Sequence, residues 1–373
     1  IIYSMQDATS YFLNFNLDRK SYKFTSKTSD AEKKSTQEAV LNKNFRQAIN
    51  FAYDRTAYGA QSQGEDGATK ILRNLVVPPN FVSINGKDFG EVVASKMVNY
   101  GKEWQGINFA DAQDPYYNPE KAKAAFEKAK AEFAKAKSAL QAEGVQFPIH
   151  LDMPVDQTAT TKVQRVQSFK QSVEETLGTD NVVIDIQQLQ KDEVLNITYF
   201  AETAAGEDWD ISDNVGWSPD FADPSTYLDI IKPSVGENTK TDLGFDSGTN
   251  NAAAKQVGLE DYEKMVVEAG EETTDVSKRY EKYAAAQAWL TDSSLFLPAM
   301  SSSGAAPFIS RVVPFSASYS QSGDKGSNLY FKYIQLQDKV VTKADYEQAR
   351  EKWLKEKKES NEKVQKELTK HVK

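Results

Sequence analysis

The residues best suited to chemistry gather in the stretch 208–228, where a predicted strand runs into a turn. Trp217 closes the strand, and Asp220 and Asp223 follow it in a segment rich in proline and aspartate. Loops at the end of a strand present side chains from a rigid scaffold, so such a position can carry binding or catalytic groups. This stretch is therefore the first candidate for a functional site.

Two nearby carboxylates are also the acid and base of glycoside hydrolysis. Asp220 and Asp223, however, are only three positions apart across a turn. This spacing does not fix the distance between their carboxylates that would be needed on either side of a sugar ring. The structural alternative is that Asp223, directly before Pro224, opens the next helix. The residue types favour that interpretation for Asp223 and leave the role of Asp220 open.

The first half of the stretch alternates with a period of two, which predicts a strand with one covered face. Asp213 is the exception to the pattern. The residues on the covered face are Trp209, Ile211, Val215 and Trp217.

Composition excludes several classes of function. The formal net charge of −9 argues against a nucleic-acid partner, because phosphate binding needs clustered Lys and Arg. The chain has no cysteine and only two histidines, so thiolate catalysis is excluded and no histidine stands near a nucleophile motif. Nucleotide-binding, zinc-protease and serine-hydrolase motifs are also missing from the sequence. We predict no catalytic residue, no cofactor and no metal site.

The elements before the candidate stretch read as a βαβ unit. A strand over 145–153, a helix over 163–177 and a strand over 182–186 predict parallel strands with a right-handed crossover. We expect the strand that ends at Trp217 to join the same sheet. Upstream, 18–34 reads as a polar loop, and Asn118 is expected to cap a helix that begins at Pro119.

Both ends of the chain carry further signals. The first residue is Ile and no leader follows, so we expect a piece of a longer chain whose front is absent. Near the other end, 329–334 reads as a final strand. Thr342 and Asp345 form the pattern of a capping box that opens a long charged helix running towards Val372.

Four short motifs follow one another along the chain: FRQAINFAYDR at 45–55, YNPEKA at 117–122, GWSPDFADP at 216–224 and LPAM at 297–300. In this order they resemble motifs of the extracytoplasmic peptide-binding proteins of ABC importers, the dipeptide/oligopeptide/nickel solute-binding family. The tail from Leu336 onward looks like the streptococcal oligopeptide-binding lipoproteins of the Ami/Ali type.

The resemblance implies an α/β fold, the C-terminal lobe of a type II periplasmic-binding-protein-like structure with a mixed, largely parallel sheet. Returning strands of the other lobe and a C-terminal helix complete it. The implied divisions are a hinge strand of the missing N-terminal lobe at 1–13, the peptide-binding lobe at 14–300, the return to the N-terminal lobe at 301–341 and the charged helix at 342–373.

The resemblance also implies a function. The protein would capture oligopeptides in extended form and deliver them to the membrane subunits of an ABC importer, without acting as an enzyme. It would be a monomeric, extracytoplasmic lipoprotein on the surface of a Gram-positive bacterium. Its only contact with the membrane would be an N-terminal lipid anchor that this chain does not contain.

Site roles follow from the same resemblance. Asp220 matches the aspartate that pairs with the α-ammonium group of the peptide, a charge-assisted hydrogen bond. Gly216 and Ser218 match positions whose backbone pairs with the peptide as an added strand, and Trp217 matches a pocket wall. The returning segment that would line the cleft contains Met300, Ser301 and Ser302.

The chain departs from the enterobacterial pattern directly before the tryptophan. Residues 213–215 contain no arginine that could pair with a peptide carboxylate. We therefore expect longer peptides whose C-terminus the protein does not bind. Two other functions stay open on the residues alone. One is a glycan-binding or glycosidase-type protein that uses Trp217 with both carboxylates; the other is a surface interaction or adhesin module that uses the tail helix.

Overall fold

The computed structural model describes residues 1–4, 6–136, 144–316 and 333–371. Its strands are β1 Ile2–Tyr3, β2 Ser10–Phe15, β3 Ser83–Ile84, β4 Lys87–Asp88, β5 Ile149–Asp156, β6 Val182–Leu189, β7 Ile211–Trp217, β8 Phe296–Met300 and β9 Pro307–Phe308. Its first helices are α1 Asp30–Leu41, α2 Lys43–Ala52, α3 Arg55–Gln63, α4 Glu65–Ala68, α5 Phe89–Met97, α6 Pro119–Ala136 and α7 Thr160–Leu177. The later helices are α8 Lys191–Asn196, α9 Ser225–Leu228, α10 Thr239–Leu243, α11 Ala252–Gln256, α12 Leu259–Glu271, α13 Val276–Ser293 and α14 Lys343–His371.

A three-stranded antiparallel sheet, in the order β7-β2-β8, holds the candidate stretch. The central strand β2 is almost entirely buried, because its apolar side chains, among them Phe12 and Phe15, enter the core. Phe12 stacks on Phe296 of β8 with ring centroids 4.4 Å apart. The sheet is thus anchored through its middle strand, and β7 and β8 form its two edges.

The βαβ unit forms as the periodicity predicts. Strands β5 and β6 pair in parallel over their full length, with α7 between them in the chain. Gly178, with φ +87°, ends the helix in the left-handed region that favours glycine. Strand β5 begins later than the alternation suggests, at Ile149 after the Phe147-Pro148 bond.

The position of β7 differs from the prediction. The strand does not join the parallel pair but runs antiparallel to β2, with Gly216 opposite Tyr11. Just before β7 begins, the amide of Asp210 donates to the carbonyl of Asp152 of β5 at 3.0 Å. The sheet structure is mixed as predicted, but most of the described pairing is antiparallel rather than largely parallel. Alternation reveals a covered face, whereas the identity and direction of the partner strand depend on distant residues.

Helix caps explain where the helices start. The side chain of Asn118 accepts from the amide of Lys121 at 2.9 Å, which confirms the predicted cap of α6. The loop expected over 18–34 is shorter than predicted, because α1 starts at Asp30. Ser29 and Glu32 close a capping box there, a sequence signal that the polar composition of the segment obscured.

The start of the chain is held by a segment far along the sequence. Strand β1 pairs with β9, so the first residues lie beside the segment that follows β8.

The capping box of α14 is present, since Thr342 and Asp345 exchange hydrogen bonds as predicted. The final strand predicted at 329–334 falls almost entirely outside the described residues. Among the helices that the structure describes, none is long and apolar enough to cross a membrane.

A buried cluster of charges joins the loop before α1 to the strands β5 and β7. The carboxylate of Asp152 accepts from the guanidinium of Arg19 and the ammonium of Lys27, both at 2.7 Å. The cluster also contains Asp208 and Asp210, and all five side chains are at most 5% exposed. Burial alone would raise the pKa of Asp152, but the two cations outweigh it and hold the pKa well below its ordinary value.

We expect Asp152→Ala to lower the free energy of unfolding by about 3–5 kcal/mol, because it leaves two buried cations short of a carboxylate. Chemical denaturation measures this change. The matched control is Lys264→Gln, which removes one member of an exposed ion pair with Asp261. This change should leave the midpoint of the denaturation curve unchanged. Equal midpoints for the two variants would show that the cluster does not hold the fold together.

A second buried carboxylate makes stability depend on pH. Burial raises the pKa of Glu207 to about 8, while one of its oxygens accepts from the indole of Trp209 at 2.6 Å. From about pH 5 to 8 the folded state therefore keeps a proton that the unfolded state has lost. This group alone should lower the free energy of unfolding by up to ~1.4 kcal/mol for each unit that the pH rises.

We expect Glu207→Gln to flatten that decline, since glutamine can still accept from Trp209 but does not ionise. Urea denaturation at several pH values between 5 and 8 measures both slopes. Identical slopes for the unaltered protein and the variant would mean that Glu207 is already ionised in the fold.

Candidate functional site

A cleft of about 350 Å³ opens where β2, β7 and β8 meet the helices α3 and α7. Tyr11, Met300, Ser301 and Ser302 of the strand ends line one side of it. Tyr58 from α3 and Arg165 and Lys162 from α7 are among the residues lining the rest, together with Asp213 and Asn214 of β7. The cleft therefore has both apolar and polar lining residues and carries charges of both signs.

Tyr11 connects the two predicted parts of the site. In the sheet register it lies opposite Gly216 on one side and opposite Met300 on the other. A Cβ at position 216 would run into the ring of Tyr11 and come within 3.0 Å of the carbonyl oxygen of Ser10. Glycine is thus required at this position by the close approach of β2, and it keeps Tyr11 at the surface of the sheet.

Trp217 and Ser218 lie at the end of β7, beyond the residues that line the cleft. Trp217 is half-buried, packs against the core and pairs with Ser10. The hydroxyl of Ser218 lies 2.8 Å from that of Thr9, so this side chain fastens the strand end to the segment before β2. In the sheet order β7-β2-β8, the edge of β7 that faces away from β2 pairs with no other strand among the described residues.

Asp220 is exposed in the turn after β7 and does not line the cleft. Its backbone amide donates to the hydroxyl of Thr226 at 2.9 Å, which fixes the turn. The buried Pro219 precedes it, so the carboxylate is held at the surface of a well-anchored loop. Asp220, which was predicted to bind the peptide amine, therefore lies outside the lining of this cleft.

Asp223 has a structural role, as its position before Pro224 predicted. It accepts from the amide of Ser225 at 3.0 Å at the start of α9. Its two oxygens also accept from the guanidinium of Arg279, at 2.9 and 3.1 Å. A carboxylate engaged in this way is not available as the second acid of a glycosidase pair.

The segment that contains Met300, Ser301 and Ser302 lines the cleft. Met300 ends β8, and the amide of Ser301 donates to the carbonyl of Ile71 at 2.8 Å. The side chain of Ser301 is buried and bonds to the carbonyl of Ser303, whereas the hydroxyl of Ser302 bonds to the carboxylate of Asp7. Met300 and Ser302 thus offer the more accessible surface.

Tyr58 and Asp213 line the cleft but were not predicted as site residues. The phenol of Tyr58 donates to one oxygen of Asp213 at 2.8 Å, and the other oxygen of Asp213 is buried without a hydrogen-bond partner among the described residues. Burial, together with the negative charge of Asp213, raises the pKa of Tyr58 well above its ordinary value. The break in the alternation at position 213 was the only sequence signal for this pair.

Lys162 and Arg165 extend from α7 into the same cleft. The ammonium of Lys162 donates to the side-chain oxygen of Asn214 at 3.1 Å. A nitrogen of Arg165 lies 3.6 Å from the sulfur of Met300, and its guanidinium lies 5.3 Å from the ring centre of Tyr58. Burial alone would lower the pKa of Arg165, but Tyr58 and Asp213 raise it, so the group is a permanent cation. Nothing in the sequence of α7 marked these two among the other polar residues of the helix.

Within the residues that the structure describes, no group of three or more His, Asp or Glu could hold a metal ion. The site therefore offers hydrogen bonds, aromatic faces and charges. These features suit the binding of a polar, extended molecule along a sheet edge.

The chain is similar over its whole length to three streptococcal proteins. It is 68% identical to the oligopeptide-binding protein AliA of Streptococcus pneumoniae, covering 56% of that protein. It is 63% identical to the oligopeptide-binding protein SarA of Streptococcus gordonii and 60% identical to AmiA of Streptococcus pneumoniae, covering 55% of each. The chain thus spans about half the length of the curated relatives that it matches.

Solved structures show the same fold at low sequence identity. A substrate-binding domain of an oligopeptide ABC transporter from Bacillus anthracis matches with a TM-score of 0.54 and 21% identity, over 90% of this chain and 50% of that one. Listeria monocytogenes OppA bound to peptide matches with a TM-score of 0.51 and 18% identity, over the same shares. These likenesses confirm the predicted type II binding-protein fold.

The family resemblance read from the four motifs is confirmed as well. The model of the bacterial extracellular solute-binding proteins, family 5, matches residues 2–239, which is more than half of the chain. The chain belongs to the family 5 bacterial extracellular solute-binding proteins.

Proposed function

We propose that this protein captures oligopeptides in extended form and delivers them to the membrane subunits of an ABC importer. The observation that carries the proposal is the edge strand β7, which ends at Gly216 and Trp217 beside a polar cleft. The 68% identity to a protein named for oligopeptide binding supports it.

The backbone of β7 is suited to binding peptides of many sequences. An extended peptide that adds to the edge of a sheet is held by main-chain hydrogen bonds, which are the same for every residue type. Gly216 and Ser218 are the positions proposed to pair in this way. Gly216 has no side chain, and the hydroxyl of Ser218 is hydrogen-bonded to that of Thr9. The edge of β7 is therefore not obstructed by a side chain at either position.

Asp220 is proposed to bind the α-ammonium group of the peptide. Its carboxylate lies at the surface of a loop whose backbone is fixed to Thr226, so little ordering is needed on binding. The ion pair would strengthen when the ligand covers the site and excludes water. Trp217 would form a pocket wall on the same strand end, and Met300, Ser301 and Ser302 would line the other side of the sheet.

The wider setting of the protein is also proposed. We expect a monomer on the outer surface of a Gram-positive bacterium, held there by a lipid anchor on residues outside this chain. The proposed divisions are the hinge strand at 1–13, the peptide-binding lobe at 14–300, the return to the other lobe at 301–341 and the charged helix at 342–373. The relatives are named as binding proteins, which supports a function without catalysis.

We expect Asp220→Asn to weaken the binding of peptides with a free α-amine by roughly tenfold or more, the loss of one charge-assisted hydrogen bond. N-acetylated forms of the same peptides should bind the unaltered protein and the variant equally. Isothermal titration calorimetry on the protein at its natural full length measures both.

The matched control is Glu237→Gln, which removes an exposed carboxylate from a different loop. If acetylated and free-amine peptides bind the unaltered protein equally well, the amine anchor at Asp220 is wrong even though peptide capture stands. If sugar turnover is found and is lost in Asp220→Asn, the glycosidase alternative replaces the proposal.

A further inference from the structure

A second cavity, of about 450 Å³, shares no lining residue with the cleft beside β7, and we propose that it binds a free α-amino acid with an apolar side chain. Among the elements that line it are α1, α2, α13 and the short connection between α11 and α12. Its volume falls in the range of small-molecule sites, ~300–1,000 Å³. The inference goes beyond the proposed peptide capture and does not depend on it.

Arg46, which lines this cavity, differs from the other buried arginines of the described residues. Four arginines are buried in that part of the chain, and three of them pair with carboxylates: Arg19 with Asp152, Arg55 with Asp114 and Arg73 with Asp111. Arg46 is only 1% exposed, yet it forms no ion pair with any residue that the structure describes. A buried guanidinium without a counter-ion is costly, so this group is suited to an anionic ligand.

Part of the Arg46 guanidinium is still able to donate. Its Nε donates to the carbonyl of Ser293 at 3.0 Å, and its Nη1 donates to the carbonyl of Val40 at 2.8 Å. These bonds use two of its five N–H donors, and the described residues supply no further acceptor. Burial lowers the pKa of Arg46 to about 9, although the negative charge of Asp292 opposes the shift. A carboxylate that enters the cavity would supply both the acceptors and the missing charge.

Asp292 also lines the cavity, but its carboxylate is already engaged. One oxygen accepts from the ammonium of Lys43 at 2.7 Å. The other accepts from the indole of Trp104 at 2.8 Å and from the side chain of Gln47 at 3.1 Å. Lys43 and Asp292 therefore balance each other, and neither provides a charge for a ligand.

Glu38 is the remaining charged residue of the lining. It is half-buried on α1, and its side chain forms neither an ion pair nor a hydrogen bond with any described residue. The cavity thus offers one cation at Arg46 and one carboxylate at Glu38. A ligand that carries a carboxylate and an ammonium group would match both and keep the cavity neutral.

Apolar side chains form much of the remaining surface of the cavity. The rings of Tyr100 and Trp289 line it together with the aliphatic side chains of Leu41 and Val257. Trp289 is held by Tyr262, whose ring centroid lies 5.3 Å from its own. These surfaces suit an apolar side chain, so an apolar α-amino acid combines the three features that the cavity requires in one molecule.

Three small compounds test the two charges separately. They are L-phenylalanine, 3-phenylpropionate, which lacks the ammonium group, and phenethylamine, which lacks the carboxylate. We expect calorimetry on the full-length protein to show that phenylalanine binds roughly tenfold or more tightly than either of the other two.

We expect Glu38→Gln to weaken the binding of phenylalanine by roughly tenfold and to leave 3-phenylpropionate unchanged, because only the contact with the ammonium group is lost. Arg46→Lys should weaken both compounds, since the planar fork is lost. If Arg46→Lys does not fold, Glu38→Gln still tests the site, because the Glu38 side chain bonds to no other described residue. The matched control, Glu281→Gln, removes an exposed carboxylate from α13 and should change neither affinity.

Equal binding of phenylalanine by the unaltered protein and by Glu38→Gln would mean that the amino acid binds elsewhere, and it would overturn the site. Equal affinity of the unaltered protein for the three compounds, or no binding of phenylalanine, would overturn it as well. None of these results contradicts peptide capture, which is tested with peptides and with Asp220→Asn.

Discussion

The whole arrangement depends on the buried ion cluster between the loop before α1 and the strands β5 and β7. Asp152 belongs to the parallel pair, Asp208 and Asp210 directly precede β7, and Arg19 and Lys27 come from the loop. Among the described residues, one backbone hydrogen bond, from Asp210 to Asp152, joins the two sheets at this point. The charges therefore set where β7 starts. Removing one member of a buried ion pair costs much more free energy than forming the pair contributes, so the cluster defines the position of β7 more than it stabilises the fold.

The fixed start of β7 places its far end. Once the strand leaves the cluster it runs along β2, and Gly216 is held against Tyr11 by the register. Some of the side chains that line the cleft, Tyr58 of α3 and Lys162 and Arg165 of α7, come from helices that contribute no residue to the cluster. The site is thus built from a rigid edge, which presents backbone, and from helices, which present charge. This division suits a ligand whose main chain is constant and whose ends are charged.

Local signals in the sequence predicted local structure well. The cap at Asn118 and the capping box at Thr342 each depend on a few neighbouring residues, and the structure contains both. Pairing between distant segments could not be predicted in this way. The alternation around Val215 shows a covered face but does not say that β2 covers it. For the same reason Arg165 was overlooked, because only the folded chain brings α7 beside β7.

Buried ionisable groups of the described residues are handled in two ways. Some are paired, as Arg19 and Asp152 show, since an unpaired ion in a low dielectric is costly. Others form no ion pair: burial raises the pKa of Glu207 and of Asp242 to about 8, so the uncharged form is favoured. At the cleft one oxygen of Asp213 and the Nε of Arg165 have no hydrogen-bond partner among the described residues, and there a bound molecule has room to complete the missing contacts.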